Sequence, residues 1–305
     1  MSTPGPSLHA SILSRLKNIS RERREDMQFT LARYTCERLL YRLSRSQHAD
    51  SFVLKGAALF ATWVDSRYRA TRDIDFLVFI EATEQRIADA FRDIFAVTVE
   101  PDDGLLFDGD SIEVSRIREE FEYGGLHLDA VARLGTTRIP VKVDSGFGDV
   151  ITPAAVALTY PSMLGFPAAT LRGYPKETVA AEKLEAIVRI GMTNSRLKDY
   201  FDLHLLARGF DFDATTLGKA IKATFERRGT AIPNGTPSGL KAAFGNDAEN
   251  INRWKGFYAK SGIDEIVPLP EVVAMVDGFA SPIFARLAAG DALTAKWHCA
   301  SARWG

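Results

Sequence analysis

The stretch LKGAALFATWVDSRYRATRDIDFLVF, residues 54–79, decides how this chain is read. It opens inside SFVLKG, a short apolar run that ends on Gly56 and predicts a strand. The small and apolar residues of AALFATWV predict a buried helix after it, and beyond the turn-like DSRYRAT the segment RDIDFLVFI predicts a second strand. Strand side chains alternate, so Asp73 and Asp75 share one face while Ile74 and Phe76 share the other. Aspartate is disfavoured within strands, and two carboxylates side by side repel unless a cation lies between them. Mg²⁺, or Mn²⁺ in its place, takes hard oxygen ligands from one or two carboxylates and completes its shell with water and substrate phosphates. Gly56, between a strand and a helix start, lets backbone N–H groups approach a phosphate. Together these features describe a site for a nucleoside triphosphate and its metal; ion pairs from the carboxylates to Arg67, Arg69 and Arg72 are the alternative.

Outward from that stretch, ATEQRIADAFRDIF reads as a helix, and IEVSRIRE, LHLDAVARL and IPVKVDSGFG read as further strands between glycines. That order predicts an α/β (α+β) domain with a mixed sheet. Residues 150–176, punctuated by Pro153, Pro161, Pro167 and Pro175, read as loop. KETVAAEKLEAIVRIG, NSRLKDYFDLHLLARG and PEVVAMVDGFASPIFARLAAG then predict a helical domain. The expected organisation is N-terminal basic helices over 1–50, an α/β domain over 51–160 and a helical domain over 161–305. Within the first segment, Arg15, Lys17, Arg21, Arg23, Arg24, Arg33, Arg38, Arg42 and Arg45 outnumber Glu22, Glu25, Asp26 and Glu37. Such a run reads as a solvated helix face or as a surface that contacts RNA.

Composition narrows the class. With 46% apolar and 25% charged residues over 305 positions, the chain has the make-up of a soluble globular protein. A net charge of −1 means that a nucleic-acid partner has to be met by a local patch. Two cysteines, Cys36 and Cys299, without CxxC spacing, predict neither a disulfide nor a zinc site. No uninterrupted apolar stretch has the roughly 20 residues that cross a bilayer, and MSTPGPSLHA lacks the basic-then-apolar form of a secretory signal. A cytoplasmic protein with no membrane partner is expected. The five histidines show no HxxxH spacing, so zinc hydrolysis has no support.

A third carboxylate on a neighbouring strand would complete a metal site of this kind. Asp144, which ends an apolar strand before glycine in VKVDSG, is the first choice and Asp129 in LHLDAV the second. In the later helices, Lys183 has Val179, Ala180, Ala186 and Ile187 three and four positions away, which places its ammonium on the inward face. Glu182 and Glu185 read as outer-face charges. Asp199 and Asp202 share a helix face, where Arg196 and Lys198 are in reach for salt bridges.

The run LKGAALF…YRATRDIDFLV resembles the opening motif of the nucleotidyltransferase fold in the AbiEii/AbiGii toxin family. IPVKVDSGFGDVITP, YPKETVAAEKLEAIV and NSRLKDYFDLHLLA continue the likeness in order, over about residues 50–210, with an echo in NRWKGFYAK. Ala57 departs from the second glycine or serine usual in the family, which leaves backbone contacts to phosphate at that position. The resemblance implies a nucleotidyltransferase-like mixed-sheet domain followed by a helical domain. It implies metal at Asp73 and Asp75, with Asp144, or else Asp129, as the third carboxylate, and nucleotide against Lys55, Gly56, Ala57, Arg72, Lys183 and Asp199. Lys183 would reach the triphosphate, with Asp199 and Asp202 orienting it. It further implies a toxin of a toxin–antitoxin pair that moves nucleotides from an NTP to tRNA 3′ ends, releases pyrophosphate and so blocks translation, with an antitoxin partner. Transfer to a protein or small-molecule hydroxyl, or a silent nucleotide-binding module, are the other functions expected of such a site.

Overall fold

The strands expected around Gly56 and Asp75 lie at the centre of a seven-stranded sheet in the computed structural model, which describes residues 7–64, 73–117, 124–261, 263 and 266–305. The chain divides into two units: Met1–Gly148 with Val156–Gly173, and Asp149–Ala155 with Tyr174–Gly305. In the first unit the strands are β1 (Phe52–Lys55), β2 (Asp73–Val78), β3 (Leu105–Arg116), β4 (Leu126–Leu134), β5 (Thr137–Gly146), β6 (Val156–Tyr160) and β7 (Ala169–Gly173). Their order across the sheet is β3-β4-β5-β2-β1-β7-β6. β1 runs antiparallel to β2 and parallel to β7, and β2 runs parallel to β5.

Four helices accompany these strands: α1 (Leu8–Arg23), α2 (Met27–Arg45), α3 (Phe60–Trp63) and α4 (Glu84–Phe95). Ser7, Asp26 and Thr83 cap α1, α2 and α4, each side chain accepting a backbone N–H that the first turn leaves without a helical partner. One face of the sheet is sealed by apolar residues from α2 and α4. Phe52 meets Phe76 and Phe91 edge-on at 5.4 and 5.6 Å, so β1, β2 and α4 share one aromatic cluster.

Three expectations about this unit are corrected. The region expected to be loop over 150–176 contains β6 and β7; each buries alternate residues, Leu158 and Tyr160 on one, Ala169 and Leu171 on the other. The prolines sit in the connections, outside strands only five residues long, so their breaking signal hid the period-two pattern. Because β7 pairs with β1, the first unit runs past the expected boundary at 160, and α2 packs on β5 and β7, so the N-terminal helices belong to it as well. Next, the helix expected after Gly56 is a tight 3₁₀ turn, Gly56–Leu59, followed by the four residues of α3. A helix this short sums few peptide dipoles.

The third correction concerns charge. Arg38 and Arg42 are not on a solvated or RNA-facing surface: both are buried on α2 around the buried Asp103. Arg38 Nε donates to Asp103 Oδ2 at 2.8 Å, while Arg42 donates to both Asp103 oxygens at 2.6 and 3.0 Å. Burial raises the Asp103 pKa, but the hydrogen bonds and charge of Arg42 and Arg38 outweigh it and hold the carboxyl below its ordinary value. Glu37, also buried, accepts from Ser162 Oγ and the Met163 N–H at 2.9 and 2.7 Å. Arg33 pairs with Glu25, whereas Arg15, Lys17, Arg21, Arg24 and Arg45 remain exposed.

The second unit is helical as expected, with α5 (Lys176–Ile190), α6 (Leu197–Gly209), α7 (Ala214–Arg227), α8 (Ala242–Gly245), α9 (Ala248–Ser261) and α10 (Leu269–Ala289). It adds a small sheet that the sequence reading did not foresee, formed by β8 (Phe212–Asp213), β9 (Lys296–His298) and β10 (Arg303–Trp304) in the order β10-β9-β8. By length and composition alone α10 could cross a membrane, yet Val272, Val273, Val276, Phe279, Ala280, Ile283 and Phe284 are buried where it meets α6, α7 and α8. Residues 149–155 are tied in twice: Thr178 Oγ1 bridges the Thr152 N–H and C=O at 3.1 and 2.8 Å, and Arg228 reaches Asp149 at 3.3 Å. Glu185 is not an outer-face charge. It is fully buried and accepts from Arg189 Nε, Arg228 Nη1 and Thr230 Oγ1 at 2.9, 3.0 and 2.7 Å, while the partly buried Glu182 pairs with Arg228 at 3.0 Å.

His204 on α6 supplies a pH dependence. Its Nδ1 is buried without a hydrogen-bond partner among the described residues, and burial, aided by the Arg208 charge, pushes its pKa down to about 4. The unfolded chain, with histidine near its ordinary value of about 6.5, therefore binds the proton more readily than the folded one. Stability is complete above that value and falls as the pH drops from about 6.5 to about 4, by about 2 kcal/mol after allowing for solvent at the ring. Thermal melts of His204→Leu should lose that slope between pH 7 and 4; an unchanged slope would assign it to other groups.

Candidate active site

The register of the sheet gathers the charged side chains of the first unit on one face. Lys55 on β1 stands across from Asp75 on β2, Asp75 across from Asp144 on β5, and Asp144 across from His127 on β4. Two residues along, and so on the same face, Asp73, Lys142, Asp129 and Glu113 form a second row over β2, β5, β4 and β3. Neighbouring strands lie about 4.8 Å apart, so side chains in one row are within reach of one another or of a shared ion. The structure thus sets Asp144 beside Asp75, whereas Asp129 lies two strands from β2, in the row of Asp73. Arg72, with Arg67 and Arg69, lies outside the described residues.

Gly56 explains part of this arrangement. Its φ is +70°, a left-handed conformation that only glycine adopts without strain, and a Cβ placed on it would meet Asp75 Oδ2 at 2.0 Å. The space that the missing side chain leaves is therefore taken by the Asp75 carboxylate. Lys55 reaches the other way: a Cβ on Gly146 would lie 3.3 Å from its Nζ, so the ammonium sits at the end of β5, two residues past Asp144. Ala57 is buried in the 3₁₀ turn.

His127 is the residue that sequence reasoning missed. Its Nδ1 lies 2.6 Å from Asp144 Oδ1 and its Nε2 3.1 Å from Asp129 Oδ2, and Lys142 Nζ lies 3.6 Å from Asp129 Oδ1. Partial burial disfavours the imidazolium, but the hydrogen bond and charge of Asp144, with the charge of Asp129, outweigh it and raise the His127 pKa. The signal was present in LHLDAV, because strand alternation puts His127 on the face of Asp129.

The second unit holds its own charged cluster. Lys183 Nζ on α5 donates to Asp199 Oδ1 at 2.8 Å and to Asp202 Oδ2 at 2.7 Å, both on α6, and Arg196 Nε donates to Asp199 Oδ2 at 2.8 Å. The expected Arg196–Asp199 pair is present, but at a carboxylate that is buried. For Lys183, the carboxylates outweigh burial and raise the pKa; for Asp199, Lys183 and Arg196 outweigh burial and lower it to about 2. Lys183 and Asp199 are thus both charged at neutral pH. An ammonium carries three donors, and the two carboxylates engage two of them.

The carboxylates of the two rows suit a hard divalent cation in their donor chemistry. Among the described residues no group of three or more His, Cys, Asp or Glu side chains is arranged as a ready-made metal cage. Mg²⁺ does not need one, since it binds through one or two carboxylates and takes its other ligands from water and phosphate. Asp75 and Asp144, in register on adjacent strands, meet that requirement, with Asp73 on the same face. A groove of about 520 Å³ in the same unit, lined by Arg42, Arg92, Phe95, Phe107 and Gly109 among others, includes none of these carboxylates.

Comparison with known proteins adds a family. The sequence model described as "Nucleotidyl transferase AbiEii toxin, Type IV TA system" matches residues 38–274. No curated protein matches the chain. Among solved structures, JHP933 from Helicobacter pylori is 15% identical, with 83% of this chain and 90% of that one covered and a TM-score of 0.46. An H. pylori chain described as a candidate nucleotidyltransferase is also 15% identical, with 84% and 94% covered and a TM-score of 0.43.

Proposed function

Because this chain belongs to the nucleotidyl transferase AbiEii toxin family, we propose that it transfers a nucleotide from an NTP to the 3′ end of tRNA, with an antitoxin as its partner. The observation that carries this reading is the strand register that sets Asp75 beside Asp144, with Asp73 two residues along the same face. Asp73, Asp75 and Asp144 would hold Mg²⁺ or Mn²⁺, which when bound neutralises charge on the triphosphate and lowers the pKa of a coordinated hydroxyl. The acceptor hydroxyl oxygen forms a bond to the α-phosphorus and loses its proton to solvent as the bond from that phosphorus to the bridging oxygen breaks, and pyrophosphate leaves. Lys55, at the Gly146 end of β5, offers positive charge to phosphate oxygens on the face of the carboxylates. In the second unit, Asp199 and Asp202 hold the Lys183 ammonium by two hydrogen bonds.

The exposed Arg15, Lys17 and Arg21 of α1, Arg24 just past its end and Arg45 of α2 favour RNA as the acceptor, since they can follow a phosphate backbone. The test is incubation of the protein with Mg²⁺ and each labelled NTP, together with total tRNA or total cell protein. Label on tRNA supports the proposal, and transfer should weaken as salt rises. Label on protein moves the acceptor to a protein hydroxyl. Triphosphate binding without label on any acceptor makes the chain a silent nucleotide-binding module.

A further inference from the structure

We infer that His127 is a positioning residue for Asp144, an inference that rests on the reading of Asp144 as a metal-facing carboxylate. Both ring nitrogens of His127 are engaged by carboxylates from different strands, Asp144 Oδ1 at 2.6 Å and Asp129 Oδ2 at 3.1 Å. The imidazole therefore cannot swing away from Asp144 without also leaving Asp129. Asp129 is held in turn by Lys142, which stands across from Asp73 in the parallel pairing of β2 and β5. A brace thus runs from the strand of one row to the carboxylate of the other.

The core does not need this arrangement. His127 is 26% exposed on the polar face, and its neighbours Leu126 and Leu128 point into the apolar face that fills the interior. Its contact takes Asp144 Oδ1 and leaves Oδ2 outside the His127 bond. One oxygen fixed and one available is what a carboxylate needs to meet an incoming cation in a single orientation. Side chains that hold metal ligands in this way typically change metal affinity by 10–100-fold when removed. Surface ion pairs kept only for stability contribute little, so the two explanations differ in what they predict.

The experiment measures Mn²⁺ binding to the full chain by electron paramagnetic resonance, with Mn²⁺ alone as the probe and thermal melts alongside. Asp144→Asn should weaken binding strongly, and His127→Ala should weaken it about tenfold with little change in melting. His127→Asn, whose amide nitrogen can stand near the Nδ1 position, should recover most of the loss. His127→Gln, whose longer arm reaches toward Asp129, should not. In the Asp144→Asn background, His127→Ala should add nothing, because its only route to the metal has been removed. Wild-type Mn²⁺ affinity in His127→Ala, beside a weakened Asp144→Asn, would overturn the inference while sparing the metal site. An effect that persists in the double variant would overturn it too. Unchanged binding in Asp144→Asn would remove the underlying reading and the inference with it. If His127→Ala does not fold, the contrast between asparagine and glutamine decides.

Discussion

Asp75→Asn is expected to slow nucleotide transfer by about a thousandfold while the protein melts close to the wild-type temperature. The asparagine keeps the shape of the side chain against Gly56 and removes the charge in register with Lys55 and Asp144. If that carboxylate supplies several kcal/mol of charge stabilisation through a bound cation, its loss corresponds to about three powers of ten in rate. Gly56→Ala should reach a large loss by a different route. Its Cβ would fall 2.0 Å from Asp75 Oδ2 in a backbone already at φ +70°, so the carboxylate has to leave its place. The pair is measured as the rate at which labelled nucleotide appears on whichever acceptor takes it, with melting as the control. Asp75→Asn within tenfold of wild type would show that the carboxylate row does not carry the reaction.

The largest effect on stability is expected from Asp103→Ala, at about 3–5 kcal/mol. The substitution leaves Arg38 and Arg42 buried on α2 without the carboxylate that receives three of their N–H donors. Removing one partner of a buried charged group is more harmful than never having built the group, because the remaining charges stay out of water. In a unit of this size the melting temperature should fall by about 10 °C or more. The lowered Asp103 pKa adds a sign: its stabilisation is present above the ordinary carboxylate value of 3.8 and is lost as the pH falls through the depressed folded value. The extra stability of wild type over Asp103→Ala should therefore shrink only in strong acid. A melt within 2 °C of wild type would mean that water reaches both guanidinium groups.

What could be read in advance followed from periodicity. Alternation around Asp73 and Asp75 gave both the strand and the shared face, and helical spacing gave the inward side of Lys183, whose ammonium lies between Asp199 and Asp202. Long-range partners could not be read that way. Arg38 and Arg42 have the spacing of a surface helix pair, and only the fold brings Asp103, more than sixty residues on, beneath them. Glu185 met the same fate through Arg228. β6 and β7 were hidden because five residues between prolines satisfy the signs of a loop as well as those of a strand. His127 was legible by face but not by partner, since Asp144 lies on the strand across from it.

The pairing of β7 with β1 also bears on synthesis. β1 is finished by residue 55, but one of its two neighbours ends only at Gly173, after the chain has contributed Asp149–Ala155 to the other unit. As the polypeptide leaves the ribosome, the middle of the sheet therefore exposes a bare hydrogen-bonding edge until about 120 more residues have been added, a period when it is open to mispairing. No single scission of the backbone separates the two units with both intact.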